Sequence, residues 1–246
     1  MTAEQKGCVL LTGAAGGMGT AIAKALVSGG HPVVLVDRDA SRLDALAKSL
    51  GGRTTTLVLD ITDGPKVAKL PDLIPASFKP VDILINNAGH DIGGRKRFDV
   101  GPADDWTAII DTNLNGLMRV TRAILPDMVA RNTGDIVNMG SIAAVRIVAD
   151  MAPYNASKAG IHMLTDVIRA ELAHTGIRVT EIMPGLTRTG IILERYRGDR
   201  AQEKAYFDQF EMALEPDDIA RSIIFALSQP RHVQVAQMVV LPVNRW

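Results

Sequence analysis

Short apolar runs rich in β-branched residues alternate with longer stretches of helical spacing along almost the whole chain. That alternation restricts the fold more than any other feature. Residues 9–11 lead into a glycine-rich loop, and residues 21–27 follow with helical spacing and stop at Gly29 and Gly30. Residues 33–36 read as a second strand, followed by a helix over 41–50 that Ser41 is placed to cap. Further strands are read at 54–59, 83–85, 136–139, 177–182 and 237–241. Two long helices are read at 104–131, with Pro126 inside, and at 153–175. Strands separated by helices require parallel crossovers. Strand runs that are apolar throughout, rather than alternating, require a sheet covered on both faces. The expected class is α/β, a doubly wound parallel sheet of about seven strands with helices on both faces.

A chain of 246 residues can bury about three-quarters of its unfolded surface, so one domain spanning 1–246 is expected. Lys plus Arg and Asp plus Glu both total 27, giving zero net charge, and nothing there points to nucleic acid or an anionic membrane surface as a partner. A single cysteine, Cys8, excludes an intrachain disulfide. Residues 1–7 are polar and lack the apolar core of a signal peptide, and no apolar run approaches bilayer length. A soluble cytoplasmic protein is expected. Residues 184–216 lack clear periodicity and are too long for an ordinary connection, which marks them as a substrate-binding loop or lid.

Gly13, Gly17 and Gly19, with Met18 between the last two, follow a strand and open a helix. Glycines there permit a tight turn and close approach of backbone to a pyrophosphate, which the helix N-terminus can hold. The spacing is G-x-x-x-G-x-G, and by itself it is equally a ligand-free turn. Asp37 adds weight. It ends the second strand eighteen residues after Gly19, where a carboxylate can accept hydrogen bonds from both adenosine ribose hydroxyls and repel a 2′-phosphate. Arg38 follows and could hold such a phosphate. With the carboxylate weighted more heavily, NAD(H) is the expected cofactor, ahead of NADP(H).

Tyr154 and Lys158 stand four residues apart, on one face of a helix. A free tyrosine ionises near 10, too high for a base near neutrality. A neighbouring ammonium favours the phenolate, which can then take a proton from an alcohol or return one to an alkoxide. Ser141, at the end of the fifth strand, can bond the same oxygen. The five histidines lack metal-ligand spacing, so no metal is expected.

These motifs together resemble the short-chain dehydrogenases/reductases over essentially the full chain, a family with a Rossmann-type sheet. The resemblance implies hydride transfer at a CH–OH group, with Asn113, Ser141, Tyr154 and Lys158 as catalytic tetrad and Asn113 holding a proton-relay water. It places Asn87, Ala88 and Gly89 along the cofactor, Asp60 and Ile61 at the adenine, and Lys158 on the nicotinamide ribose as well. Pro184, Gly185, Thr187 and Thr189 fall where the family meets the nicotinamide amide. A finer resemblance, carried by Asp105–Trp106, 128–132, 195–199 and 241–243, is to the branch of serine and 3-hydroxy-acid dehydrogenases, whose members often use NADP. The family also implies self-association through the two long helices, as a homodimer or homotetramer.

The expected partner is a small alcohol or ketone, a hydroxy acid or another polar molecule. Arg195 is the favoured residue to fork onto its carboxylate, with Arg188 and Arg146 as further candidates. The clustered arginines of 184–216 can equally form a salt-bridged surface loop. His90 is read as a solvated loop histidine, or else as a border of the pocket. The alternatives are an NADP(H)-dependent reductase of a neutral sugar or cyclic ketone and, more remotely, a non-catalytic dinucleotide sensor.

Overall fold

The strands are β1 (Cys8–Thr12), β2 (Val33–Asp37), β3 (Thr54–Val58), β4 (Val81–Asn86), β5 (Gly134–Met139), β6 (Ile177–Pro184) and β7 (Gln237–Val240). They form one sheet in the order β3-β2-β1-β4-β5-β6-β7, with every neighbouring pair parallel. This computed structural model describes residues 6–243. The first five residues, part of the stretch read above as polar and signal-free, lie outside the described residues.

The apolar strand runs are explained by their two faces. Leu10, Val34, Leu84, Ile136 and Val179 point into one core, while Val9, Leu11, Leu35, Ile85 and Ile182 point into the other. Successive side chains of a strand alternate faces, so a sheet covered twice must be apolar at every position. The first core is covered by α3 (Gly64–Ala68), α4 (Leu70–Leu73), α6 (Leu117–Arg131) and α7 (Ala152–Glu171), through residues such as Val67, Leu70, Ile124 and Ile168. The second is covered by α1 (Gly17–Ser28), α2 (Ala40–Leu50) and α10 (Pro216–Leu227), through residues such as Ile22, Leu43 and Ile223. Leu10 and Leu35 are fully buried, and truncation of such a leucine to alanine costs about 2–5 kcal/mol.

Several sequence expectations shift. The helix expected over 104–131 is three pieces: α5 (Ala103–Ile110), a π-helical turn (Asp111–Gly116) and α6. A π turn inserts one extra residue per turn and is a common device at functional sites. Asp39, not Ser41, caps α2: its carboxylate accepts the Arg42 N–H at 3.0 Å, and the Ser41 hydroxyl donates to it. The segment 184–216 is ordered by α8 (Ile191–Arg195), α9 (Arg200–Phe207), a β-bridge from Thr187 to Leu214, and an apolar cluster of Ile192, Tyr206 and Phe207.

The chain leaves β1 toward β2 on one side and toward β4 on the other, so strand order reverses there. In open α/β sheets a ligand crevice opens at the carboxyl ends of the strands at this reversal. No helix among the described residues is long and apolar enough to cross a membrane.

Candidate active site

The crevice at the reversal is a cleft of about 1080 Å³. Its floor is built by close approach of backbones. Gly13 has φ +63°, and a Cβ there would stand 2.7 Å from Ala88 Cα. A Cβ on Gly19 would stand 2.0 Å from the Gly13 carbonyl oxygen. Thr12 Oγ1 accepts from the backbone N–H groups of Asn87 and Ala88 at 3.1 and 3.2 Å, and the Asn87 amide donates to the Thr12 and Gly13 carbonyls. The ends of β1 and β4 are thereby locked, with the N-terminus of α1 open to the cleft and no acidic side chain in its first turn. A cradle that excludes side chains and presents free N–H groups fits a pyrophosphate.

The cleft wall contains Gly13, Gly17, Met18, Gly19, Asp37 and Arg38 at one end. Asp60, Ile61, Asn87, Ala88 and Gly89 follow, then Ser141, Tyr154, Lys158, Pro184, Gly185, Thr187 and Thr189. All the residues expected from sequence to meet the cofactor therefore lie on one continuous surface. His90, Arg146 and Arg195 line it too. Arg188 does not; it pairs with Glu215 at 3.5 Å and lies over the Phe207 ring.

The four residues expected to form the tetrad come from three elements. Ser141 ends the crossing of β5 in extended backbone, and its hydroxyl accepts the Ala143 N–H at 3.1 Å and bonds the Tyr154 hydroxyl. The Asn155 amide donates to the Ala143 and Arg146 carbonyls at 3.0 and 2.8 Å, which pins α7 to the loop carrying Ser141. Lys158 Nζ donates to the Met139 carbonyl at 2.8 Å and stands 5.7 Å from the Tyr154 ring centre. Asn113, in the π turn, is fully buried beneath the cleft. Its amide donates to the His90 carbonyl and Ser157 Oγ, and its Oδ1 accepts the His90 N–H.

The protonation of this group differs from the sequence expectation. Burial, with the Asp91 carboxylate adding to it, pushes the Tyr154 phenol up to about 12. Burial pulls the Lys158 ammonium down to about 8, against the Glu181 and Asp91 carboxylates. In the protein alone the phenol is thus the neutral, proton-holding partner, as donation to a developing alkoxide requires.

His90 is buried rather than solvated. Its Nε2 meets Thr112 Oγ1 at 3.1 Å, and burial lowers its pKa, keeping it uncharged. Arg195 is not a free surface arginine either. Its Nε and Nη2 contact Asp91 Oδ2 at 2.8 and 2.7 Å, with both side chains buried, and its guanidinium lies 5.1 Å from the Tyr206 ring centre. Asp91 and Tyr206 were missed from sequence because neither sits in a motif. The position of Asp91 directly after His90 was the only signal. Among the described residues no group of His, Cys, Asp and Glu is placed to hold a metal ion.

The short chain dehydrogenase family model matches residues 7–199. A sulfoacetaldehyde reductase of Chromohalobacter salexigens is 37% identical over 240 residues, covering 96% of this chain and 94% of that protein. An NADP-dependent 3-hydroxy acid dehydrogenase of Salmonella typhi is 35% identical over 238 residues, covering 96% and 95%. Among solved structures, the closed form of serine dehydrogenase complexed with NADP+ superposes with a TM-score of 0.94 at 34% identity, covering 97% and 96%. The chain belongs to the short-chain dehydrogenase family and is an oxidoreductase acting on CH–OH groups.

These findings overturn NAD(H) as the expected cofactor: the 3-hydroxy acid dehydrogenases are named as NADP-dependent, and the serine dehydrogenase structure holds NADP+. Beside Arg38 at the Asp37 end of the cleft stands a second cation, Arg42, which can offset the carboxylate's repulsion of a 2′-phosphate. Asp37 Oδ2 accepts the Ala15 N–H at 3.0 Å and its Oδ1 the Asp39 N–H at 3.1 Å. These bonds fix the carboxylate in place but leave each oxygen a further lone pair, so they do not close it to a ribose. Arg42, which sequence reasoning passed over, donates to the Ala15 carbonyl at 2.7 Å and lines the cleft beside Arg38.

Proposed function

We propose that this protein is an NADP(H)-dependent dehydrogenase interconverting a secondary alcohol and a carbonyl in a small anionic hydroxy acid. Arg38 and Arg42 flank the end of the cleft where a 2′-phosphate would lie, and guanidinium forks suit phosphate. The cofactor supplies or accepts the hydride. Tyr154 gives a proton to the carbonyl oxygen in one direction and removes it in the other, while Ser141 orients that oxygen and Asn113 serves the proton relay. Lys158 holds the cofactor ribose and tunes Tyr154.

The substrate reading rests on one observation. Arg95, Arg146 and Arg200 line the cleft from separate turns of chain, while Arg195 and the Asp91 carboxylate beside Tyr154 offset each other. Arg95 and Arg195 both lie over the Tyr206 ring, at 5.7 and 5.1 Å. Cationic walls around a reacting carbon favour a carboxylate or sulfonate. Residues 184–216 are the substrate-binding lid of a single domain spanning the chain. Exposed Met118, Val129, Met163 and Val167 on α6 and α7 support a homodimer or homotetramer.

Initial rates with NADP+ over a panel of 2- and 3-hydroxy acids and neutral polyols test this reading. Hydroxy acids should exceed polyols in kcat/KM by at least about tenfold, about 1.4 kcal/mol. A preference for the polyols would sink the anionic assignment.

A further inference from the structure

At one level of the sheet, polar side chains cross four strands. Asn86 on β4 is in register with Asn138 on β5, Asn138 with Glu181 on β6, and Glu181 with Gln237 on β7. The asparagines are bonded to one another and to their covering helices. Asn86 Nδ2 donates to Asn138 Oδ1 at 2.9 Å, and Asn138 Nδ2 donates to Thr165 Oγ1 on α7 at 3.0 Å. Glu181 differs. It has no solvent exposure, and its Oε2 is held by His162 Nδ1 at 2.7 Å and Gln237 Nε2 at 3.2 Å. Its Oε1 has no hydrogen-bond partner among the described residues.

A carboxylate so placed is strongly unfavourable unless positive charge compensates it. His162 faces Oε2, and Oε1 stands at the strand end that also holds the Lys158 ammonium. A Cβ on Gly140 would lie 2.2 Å from Oε1, so the oxygen is packed against the backbone at Gly140. The preceding carbonyl, of Met139, accepts the Lys158 ammonium, and the following residue is Ser141. Lys158 lies one turn before His162 on the same face of α7.

We propose that Glu181 is a positioning residue for Lys158: its buried carboxylate, set behind the end of β5, keeps the Lys158 ammonium charged and directed at Tyr154. The inference rests on Tyr154 being the proton-transfer group. The ionisable groups around Lys158 are Glu181 from β6, Asp91 from the loop after β4, and Tyr154 and His162 from α7. Glu181 leads Asp91 in opposing the downward pull of burial on Lys158. Asp91 is already engaged by Arg195. The carboxylate and guanidinium that act on Tyr154 directly are Asp91 and Arg195, so Glu181 reaches the phenol through Lys158.

The sign follows. Without the Glu181 charge, Lys158 gives up its proton at lower pH. The phenolate of Tyr154 then loses its cation and forms at higher pH. The test is the pH profile of kcat/KM for alcohol oxidation by the complete enzyme with NADP+. Glu181→Gln keeps the side-chain shape, and its midpoint should move up by about one unit, which is a tenfold rate loss on the limb below it. Because Lys158 also holds the cofactor ribose under the proposed function, cofactor KM is compared below the midpoint, where Lys158 keeps its proton in both enzymes, and should there stay within about threefold. Glu181→Asp should move the midpoint in the same direction by less than half as much. His162→Gln should leave it unmoved.

A folded Glu181→Gln enzyme with the parent midpoint overturns the inference. So does an equal shift in His162→Gln, which would assign the effect to the histidine contact. If Glu181→Gln does not fold, an unmoved midpoint in Glu181→Asp overturns it instead. Failure of the underlying reading is separate: Tyr154→Phe would then retain turnover, whatever Glu181 does.

Discussion

Arg195 and Asp91 are 104 residues apart in sequence, yet Arg195 Nη2 stands 2.7 Å from Asp91 Oδ2 and both side chains are about 5% exposed or less. The pair joins the segment after β6 to the loop after β4, and both charges act on the Tyr154 hydroxyl. A buried pair of this kind contributes little net stability, but removing one partner strands the other charge.

Asp91→Ala leaves the Arg195 guanidinium buried without its counter-ion, at a cost of about 3–5 kcal/mol. In a chain of this size each kcal/mol shifts Tm by about 2–4 °C, so calorimetry should show a fall of about 10 °C. Replacing both residues with apolar side chains should recover most of it. A single variant melting within ~2 °C of the parent would show that the pair is solvated.

Tyr154→Phe keeps the ring against α7 and removes the proton. General acid–base catalysis contributes about 10²–10⁴ in rate, so turnover should fall by about a thousandfold. NADPH affinity by titration calorimetry should remain within about threefold, because the floor of the cleft is backbone at Gly13, Gly19 and Ala88. Turnover within tenfold or so of the parent would remove Tyr154 from its role.

Arg38 and Arg42 bear on cofactor choice. Each charge-assisted contact to a phosphate is worth about 1.5 kcal/mol or more. Either residue changed to alanine should lower kcat/KM with NADPH by about tenfold and change that with NADH by less than about threefold. Equal losses with both cofactors would mean that the arginines support the loop around Ala15 rather than read the phosphate.

The sheet, the glycine cradle and the meeting of Ser141, Tyr154 and Lys158 in one cleft were legible in the sequence for different reasons. Strand identity came from uniform apolarity, which a doubly covered sheet imposes at Leu10 and Leu11 alike. The Tyr154–Lys158 pair means little by itself; it gained weight from Ser141 and the glycine loop upstream, and Asn113 was placed by the family resemblance alone. What sequence could not show is which charged side chains stand beside one another in the fold. Asp37 reads as excluding a 2′-phosphate until Arg42 is found beside Arg38 at the same end of the cleft. Arg195 reads as a free fork until Asp91 is found beside it. The spacing of α5 and α6 reads as one helix, and only the family resemblance, which implies a helix-kinking asparagine at Asn113, pointed to the π turn there.

Lys158 and Cys8 give the protein's stability opposite responses to alkali, and the sign separates them. Burial holds Lys158 at about 8 in the folded chain, against 10.5 for an exposed lysine. Between those values the unfolded chain binds the extra proton, so the lysine's contribution to stability rises with pH across this window. Cys8 is pushed by burial from 9.0 to about 11. The unfolded thiol ionises first, so its contribution falls from about pH 9 to 11. The Lys158 effect is isolated by comparing the parent with Lys158→Met in urea unfolding at pH 8 and pH 10.5, since Cys8 is common to both. At 1.36 kcal/mol per unit, the parent should gain about 3 kcal/mol relative to the variant over that interval. A difference that stays flat, or that shrinks as pH rises, would mean that Lys158 keeps its proton in the fold and that burial does not govern its charge.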